Sequence, residues 1–272
     1  MSTTTPTAPE GTTRRSGTRR EKARAAREAE RRAELRRRRL LVGGVVGVVL
    51  LLVAGLGIAV GAASSGSGDG QVRRPTHAVT SGSPVARGAI LLGDPAARVV
   101  VDLYEDLNCP VCGQFEHAVG PVLTELVQDG SVAVRLHVLS FIDDKNGGTY
   151  SSRAANAIAA SDTYASPAAV LAFHAALFHA QPDESSAAGL SDDTILDLAR
   201  GAGITSAEFV DAVRGNAFAG WVDEVADLGS KAGVNGTPTV FVDEQPVELG
   251  ALVDAAGQFD GEAFRRLVTS RG

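Results

Sequence analysis

The sequence predicts an α/β domain interrupted by a helical block and preceded by a single transmembrane helix. Three observations predict it. A strand, helix and strand succeed one another over residues 99–141, helical periodicity fills 150 to about 233, and strand character returns at 234–242. Ahead of them, residues 40–63 run for 24 positions without a charge. A helix of about 20 apolar residues crosses the hydrocarbon of a bilayer, so this stretch is long enough to span one.

The segments follow in order. Residues 1–39 carry thirteen Lys and Arg against five Glu, a net +8. The whole chain is −6, so the remainder holds −14 and the two parts face different surroundings. Thr and Pro at 2–13 give a disordered start, and 19–39 mixes Ala, Glu and Arg as a solvated helix does, with Glu30 and Glu34 near following arginines. Contact with anionic lipid explains this basic tail with fewer assumptions than nucleic acid does, and no nucleic-acid partner is expected. The span reads as an uncleaved anchor rather than a cleaved signal peptide. Its basic n-region is too long and its apolar stretch exceeds the roughly 7–15 residues of a signal core. Gly43-x-x-x-Gly47 and Gly57-x-x-x-Gly61 have the spacing that seats a partner helix, although glycine is common in spans. Basic flanks stay in the cytoplasm, which exports the acidic body. Ser, Gly and Pro at 64–87 predict a flexible linker, and 88–272 is ample for one domain.

Within the body, Val99-Val100-Val101-Asp102-Leu103-Tyr104 is β-branched and aromatic without alternation, the mark of a strand buried on both faces. Pro110 suits the first position of a helix, where its missing N–H costs nothing. Phe115, Val119, Val122, Leu123, Leu126 and Val127 continue at helical spacing to Asp129-Gly130, and 131–141 alternates as a second strand. The inserted block, about 146–232, contains an Ala-rich helix at 152–161 and a helix opened by Pro167. A third follows an N-cap at Ser191, and a capping box Thr205-x-x-Glu208 opens the run holding Phe209, Val213, Phe218, Trp221 and Val225. Pro238 must open the last strand at its edge or lie in a turn, because it cannot donate to a ladder.

The chain has two cysteines, Cys109 and Cys112, at the junction of the first strand and helix. A structural zinc needs four ligands, and a second Cys pair is missing. The five histidines are His77, His117, His137, His174 and His179. Of these, His174 and His179 lie in an apolar helical run that suits a core or edge role. A thiolate at a helix N-terminus is stabilised by unpaired N–H groups and the helix dipole, which makes it both nucleophile and leaving group. Outside the cytoplasm disulfides persist.

The run Asp102-Leu103-Tyr104-Glu105-Asp106-Leu107-Asn108-Cys109-Pro110-Val111-Cys112-Gly113-Gln114-Phe115-Glu116, the segment Ala172-Phe173-His174-Ala175-Ala176-Leu177-Phe178, and Val234-Asn235-Gly236-Thr237-Pro238-Thr239-Val240-Phe241-Val242 together resemble the DsbA-like branch of the thioredoxin superfamily. The likeness covers roughly 88–270. It implies a thioredoxin-like fold, a protein thiol:disulfide oxidoreductase that needs no cofactor, and a cis peptide bond at Pro238 beside the Cys pair. Thr237 then flanks the dithiol and offers backbone groups to a substrate chain, and Pro110-Val111 completes the motif. The resemblance also implies an acid beneath the pair that relays protons to the buried thiol, and Asp102 is the candidate for it.

Position assigns Cys109 as the sulfur that exchanges with substrate and Cys112, one turn inside the helix, as the resolving thiol. The middle dipeptide lacks the histidine of the most oxidising family members, and Asp102, Glu105 and Asp106 lie close by to oppose a thiolate. An oxidant of moderate strength is expected. It would act on exported proteins with free thiols or disulfides and be recycled by a membrane redox partner. Two other readings stand beside this one. The first is a module that kept the fold and lost turnover. The second is a copper-chaperone-like metal site using His117 with the cysteines, against which the Cys spacing argues.

Overall fold

The computed structural model describes residues 72–271. The predicted tail 1–39, the span 40–63 and the linker residues 64–71 lie outside them. Among the described residues no helix is long and apolar enough to cross a membrane.

Five strands, β1 (Ile90–Leu92), β2 (Val99–Asp106), β3 (Val132–Leu139), β4 (Thr239–Val242) and β5 (Gln245–Pro246), form one mixed sheet in the order β1-β3-β2-β4-β5. β2 and β3 run parallel from Val99 opposite Val132 to Asp106 opposite Leu139, joined by the helix α1 (Pro110–Gln128). β4 is antiparallel to β2, with Tyr104 opposite Thr239. The β-branched run of β2 is buried along nearly its whole length, as a central strand covered on both faces requires.

The helical block holds α2 (Phe141–Asn146), α3 (Tyr150–Tyr164), α4 (Pro167–His179), α5 (Asp192–Gly201), α6 (Ala207–Arg214) and α7 (Ala219–Lys231). Serine hydroxyls open three of these helices. Ser166 accepts from the Ala169 N–H, Ser191 from Thr194 and Ser206 from Phe209. The capping box expected at Thr205 is therefore replaced by a cap one residue later. The helix expected to follow it is two helices, broken at Gly215 and Asn216, where Asn216 takes φ 47°, a left-handed conformation that asparagine tolerates.

The C-terminal helix α8 (Gly261–Thr269) buries Phe264 and sets its ring edge-on to Phe115 of α1. The expected linker also ends earlier than 87. From residue 72 onward the chain lies against the body, with Pro75 and Ala86 buried. The His77 amide and Nδ1 each lie 2.8 Å from the Asp162 carboxylate. The Arg73 guanidinium lies over Phe218 and hydrogen-bonds the Tyr164 hydroxyl, while the Tyr104 hydroxyl donates to the Val85 carbonyl at 2.6 Å. Apolar side chains scattered among the serines and glycines give this segment surface to bury, which a Ser/Gly composition alone conceals.

Candidate active site

β2 ends at Asp106, and its carboxylate fixes the turn into α1. Oδ1 accepts from the Asn108 amide at 2.8 Å and from the Ser151 hydroxyl at 2.6 Å, and Oδ2 accepts from the Ile142 amide at 2.9 Å. From the far end of α4, Gln181 Nε2 donates to the carbonyls of Leu107 and Cys109, each at 3.0 Å. Gly113 lies under this side chain, where a Cβ would come within 2.5 Å of Gln181 Oε1. The turn holding the first cysteine is thus tied to the helical block at both ends.

Cys109 is the N-cap of α1, with Pro110 in the first turn and no side-chain cap. Its sulfur lies 3.4 Å from the Thr237 carbonyl oxygen. The antiparallel pairing of β4 with β2 brings that loop across, and the Thr237–Pro238 peptide bond in it is cis. Cys109 is 6% exposed and Cys112 fully buried, while Pro110 and Val111 form an exposed rim. The two sulfurs differ sharply in acidity. The Cys112 thiol hydrogen-bonds Cys109 and is the largest influence on it. With Thr237 and the N–H groups of Cys112 and Val111, it outweighs burial and lowers the Cys109 pKa to about 5. Burial first, then the bond to Cys109 and the charge of Glu105, push Cys112 well above the ordinary thiol range.

The acid beneath the pair is not the one expected. Asp102 and Glu105 are three apart on one strand, so their side chains leave opposite faces of the sheet. Asp102 is buried with Arg135, 2.6 Å from Nη2, and with His137, 3.2 Å from Nε2. His137 in turn stacks on Tyr104, which occupies the Asp102 face. Glu105 leaves on the face covered by α1, and its charge acts on both cysteines. It is fully buried, contacts His174 Nε2 of α4, and carries a pKa raised foremost by burial. His174 Nδ1 lies 3.6 Å from Glu116 of α1, one helical turn after Cys112.

His117 stacks on His179, ring centroids 4.8 Å apart. The structure thus gathers Cys109, Cys112, Pro110, Val111, Thr237 and Pro238 and leaves Asp102 on the other side of β2. Sequence reasoning passed over Gln181, Glu116 and His174 as site residues. The Phe173-His174 segment is visible as a motif, and strand parity puts Asp102 and Glu105 on opposite faces without saying which face carries α1.

A mixed sheet with a Cys-x-x-Cys at the head of its first long helix, faced by a cis-proline loop, defines a thioredoxin-type protein. The family model described as Thioredoxin matches residues 86–256, and the chain belongs to that family, in its DsbA-like branch. It is 28% identical over 179 residues to disulfide bond formation protein D of Bacillus subtilis, covering 64% of this chain and 76% of that one. It is 30% identical over 163 residues to the serine/threonine-protein kinase PknE of Mycobacterium tuberculosis, which is 58% of this chain but only 29% of the kinase. Among solved structures, reduced DsbA from M. tuberculosis superposes with a TM-score of 0.56 at 27% identity, over 67% of this chain and 91% of that one.

Proposed function

We propose that the protein catalyses thiol–disulfide exchange on exported proteins, acting as an oxidant of moderate strength through Cys109 and Cys112. The observation that carries this reading is the geometry of the pair: Cys109 caps α1 with its sulfur 3.4 Å from the Thr237 carbonyl oxygen, and Cys112 is buried one turn further in. A sulfur brought to about pKa 5 is a good leaving group, and its buried partner holds a proton. The value falls between thioredoxin, near 7, and the strongest oxidants, near 3.5, which supports moderate strength. Thr237 offers its backbone to the substrate chain, and Pro110 and Val111 form the surface it meets. The similarity to a disulfide bond formation protein and to a DsbA supports the same class.

The basic tail 1–39 and the apolar stretch 40–63 support a single-pass anchor with the catalytic domain outside the cytoplasm. In that setting a membrane redox partner reoxidises the pair, and anionic lipid meets the tail. The test is oxidation of a reduced two-thiol peptide by the oxidised protein, with its potential set against glutathione. The wild type is expected to form the peptide disulfide stoichiometrically and Cys109→Ser to form none. A potential as reducing as thioredoxin's, about −270 mV, would overturn the oxidant reading.

A further inference from the structure

We propose that His174, lodged between Glu105 and Glu116, is a positioning residue that makes Glu105 the proton donor and acceptor for Cys112. The proposal deepens the thiol–disulfide reading and rests on it.

Cys112 and Glu116 are four apart on α1 and share one face of that helix. Glu105 approaches the same face from β2, and His174 enters from α4 to meet both acids, Glu105 at Nε2 and Glu116 at Nδ1. All three side chains are buried, at 0%, 7% and 5% exposure for Glu105, Glu116 and His174. Burying two carboxylates without a cation is costly, and an imidazolium that donates from both nitrogens is the group that fits between them. The two acids draw the His174 pKa up to about 10 against the opposing effect of its own burial. Within this cluster Glu105 Oε2 is buried without a hydrogen-bond partner, as are Asn108 Oδ1 and the Tyr150 hydroxyl elsewhere among the described residues. A buried carboxylate oxygen left open beside a thiol that must gain and lose a proton is suited to that transfer. On the side of the cluster away from Glu105, Glu116 and His174 line a small cavity with room for about one water.

A substrate thiolate attacks Cys109 Sγ, the Cys109–Cys112 bond breaks, and its electron pair leaves on Cys112. Cys112 takes a proton from Glu105, which is reprotonated from water past His174 and Glu116. The second substrate thiolate attacks the substrate sulfur and releases Cys109 as thiolate. Two substrate thiols become one disulfide, the enzyme disulfide becomes a thiolate and a thiol, and one proton goes to solvent. In reverse, Glu105 must be ionised to deprotonate Cys112, and the imidazolium, opposing the effect of burial, brings that form within reach without abolishing the protonated one.

The charged groups acting on His174 are Glu105 from β2 and Glu116 from α1. Those three residues bring ligating atoms within 4.8 Å of one another, as a metal site also does. A metal takes one ring nitrogen, however, whereas here each nitrogen faces a different carboxylate.

The experiment follows Cys112 attack on a Cys109–glutathione mixed disulfide by stopped flow from pH 5.5 to 9 in the full-length protein. His174→Gln is expected to slow this step about tenfold or more at pH 7, a fraction of what a positioned base supplies, and to move the midpoint of the rate profile upward. Glu105→Gln slows it as well, and the double variant is no slower than Glu105→Gln alone, because His174 acts through Glu105. Glu116→Gln, a milder change at the edge of the cluster, shifts the midpoint in the opposite sense to His174→Gln, since Glu105 then has the imidazolium to itself. A His174→Gln profile that superimposes on the wild type overturns the proposal, as do losses that multiply in the double variant. Tight one-to-one zinc binding that His174→Gln abolishes also overturns it. A wild type that does not exchange with glutathone at all brings down the thiol–disulfide reading together with this one, whereas normal exchange with an unmoved variant profile brings down this one only.

Discussion

Cys109 is nearly out of water, a setting that raises a thiol's pKa, yet its local donors reverse the effect. The Cys112 thiol and the N–H groups at the start of α1 supply hydrogen bonds that only a thiolate uses fully. In the reduced protein, absorbance at 240 nm is expected to report one thiolate forming with a midpoint near pH 5, and Cys112 is expected to stay protonated through neutrality. A midpoint near 8 would place the pair among ordinary thiols. At this scale the cysteines and Thr237-Pro238 were legible because each is a residue type with few alternative uses. The acid was not. Asp102 interrupts a buried strand as conspicuously as Glu105 does, and only the face toward α1 separates them. The expectation that three nearby acids oppose the thiolate also treated them alike, whereas Asp102 is neutralised by Arg135 across the sheet.

The turn between β2 and α1 depends on one carboxylate. Asp106 accepts from Asn108, Ile142 and Ser151, so it joins the end of a sheet strand to the first turns of α2 and α3. Asp106→Asn places an amide donor against one of these N–H groups and is expected to cost about 1–3 kcal/mol, the penalty of a buried polar group left unsatisfied. Denaturant unfolding at pH 7 measures it. Burial raises the Asp106 pKa from 3.8 to about 6, so the folded protein holds this proton where the unfolded chain has lost it. The contribution is therefore complete below pH 3.8 and lost as pH rises through about 6, and the variant is expected to lack that falling component. Elements with strong periodicity, β2, α1, β3 and the helices with serine caps, were readable from pattern. The three-residue β1 and two-residue β5 are too short to show a period. The segment 72–87 is ordered by contacts to Asp162 and Phe218 that lie far away in sequence.

For the whole molecule, redox state and stability are linked. The disulfide closes a loop of four residues, so in the chain-entropy picture it stabilises the oxidised fold by only about 2 kcal/mol. Against this, the folded reduced protein gains from the Cys109 thiolate, whose pKa falls from 9 to about 5 on folding. The sign follows from the lowered pKa. The gain is complete above pH 9, about half present at pH 7, and lost as pH falls through 5. The reduced protein is therefore expected to melt above the oxidised one at pH 7, with the gap closing as pH falls and the order reversed by pH 5, as paired calorimetric scans would show. By the thermodynamic cycle, a disulfide less stable in the folded state than in the unfolded chain is one the protein donates to substrates. An oxidised form that melts higher at pH 7 would make the dithiol a reductant on the same frame. The contacts that decide the order come from three separate parts of the chain, since Thr237 reaches Cys109 from the loop before β4, Gln181 holds its carbonyl from beyond α4, and Glu105 acts on both sulfurs from β2.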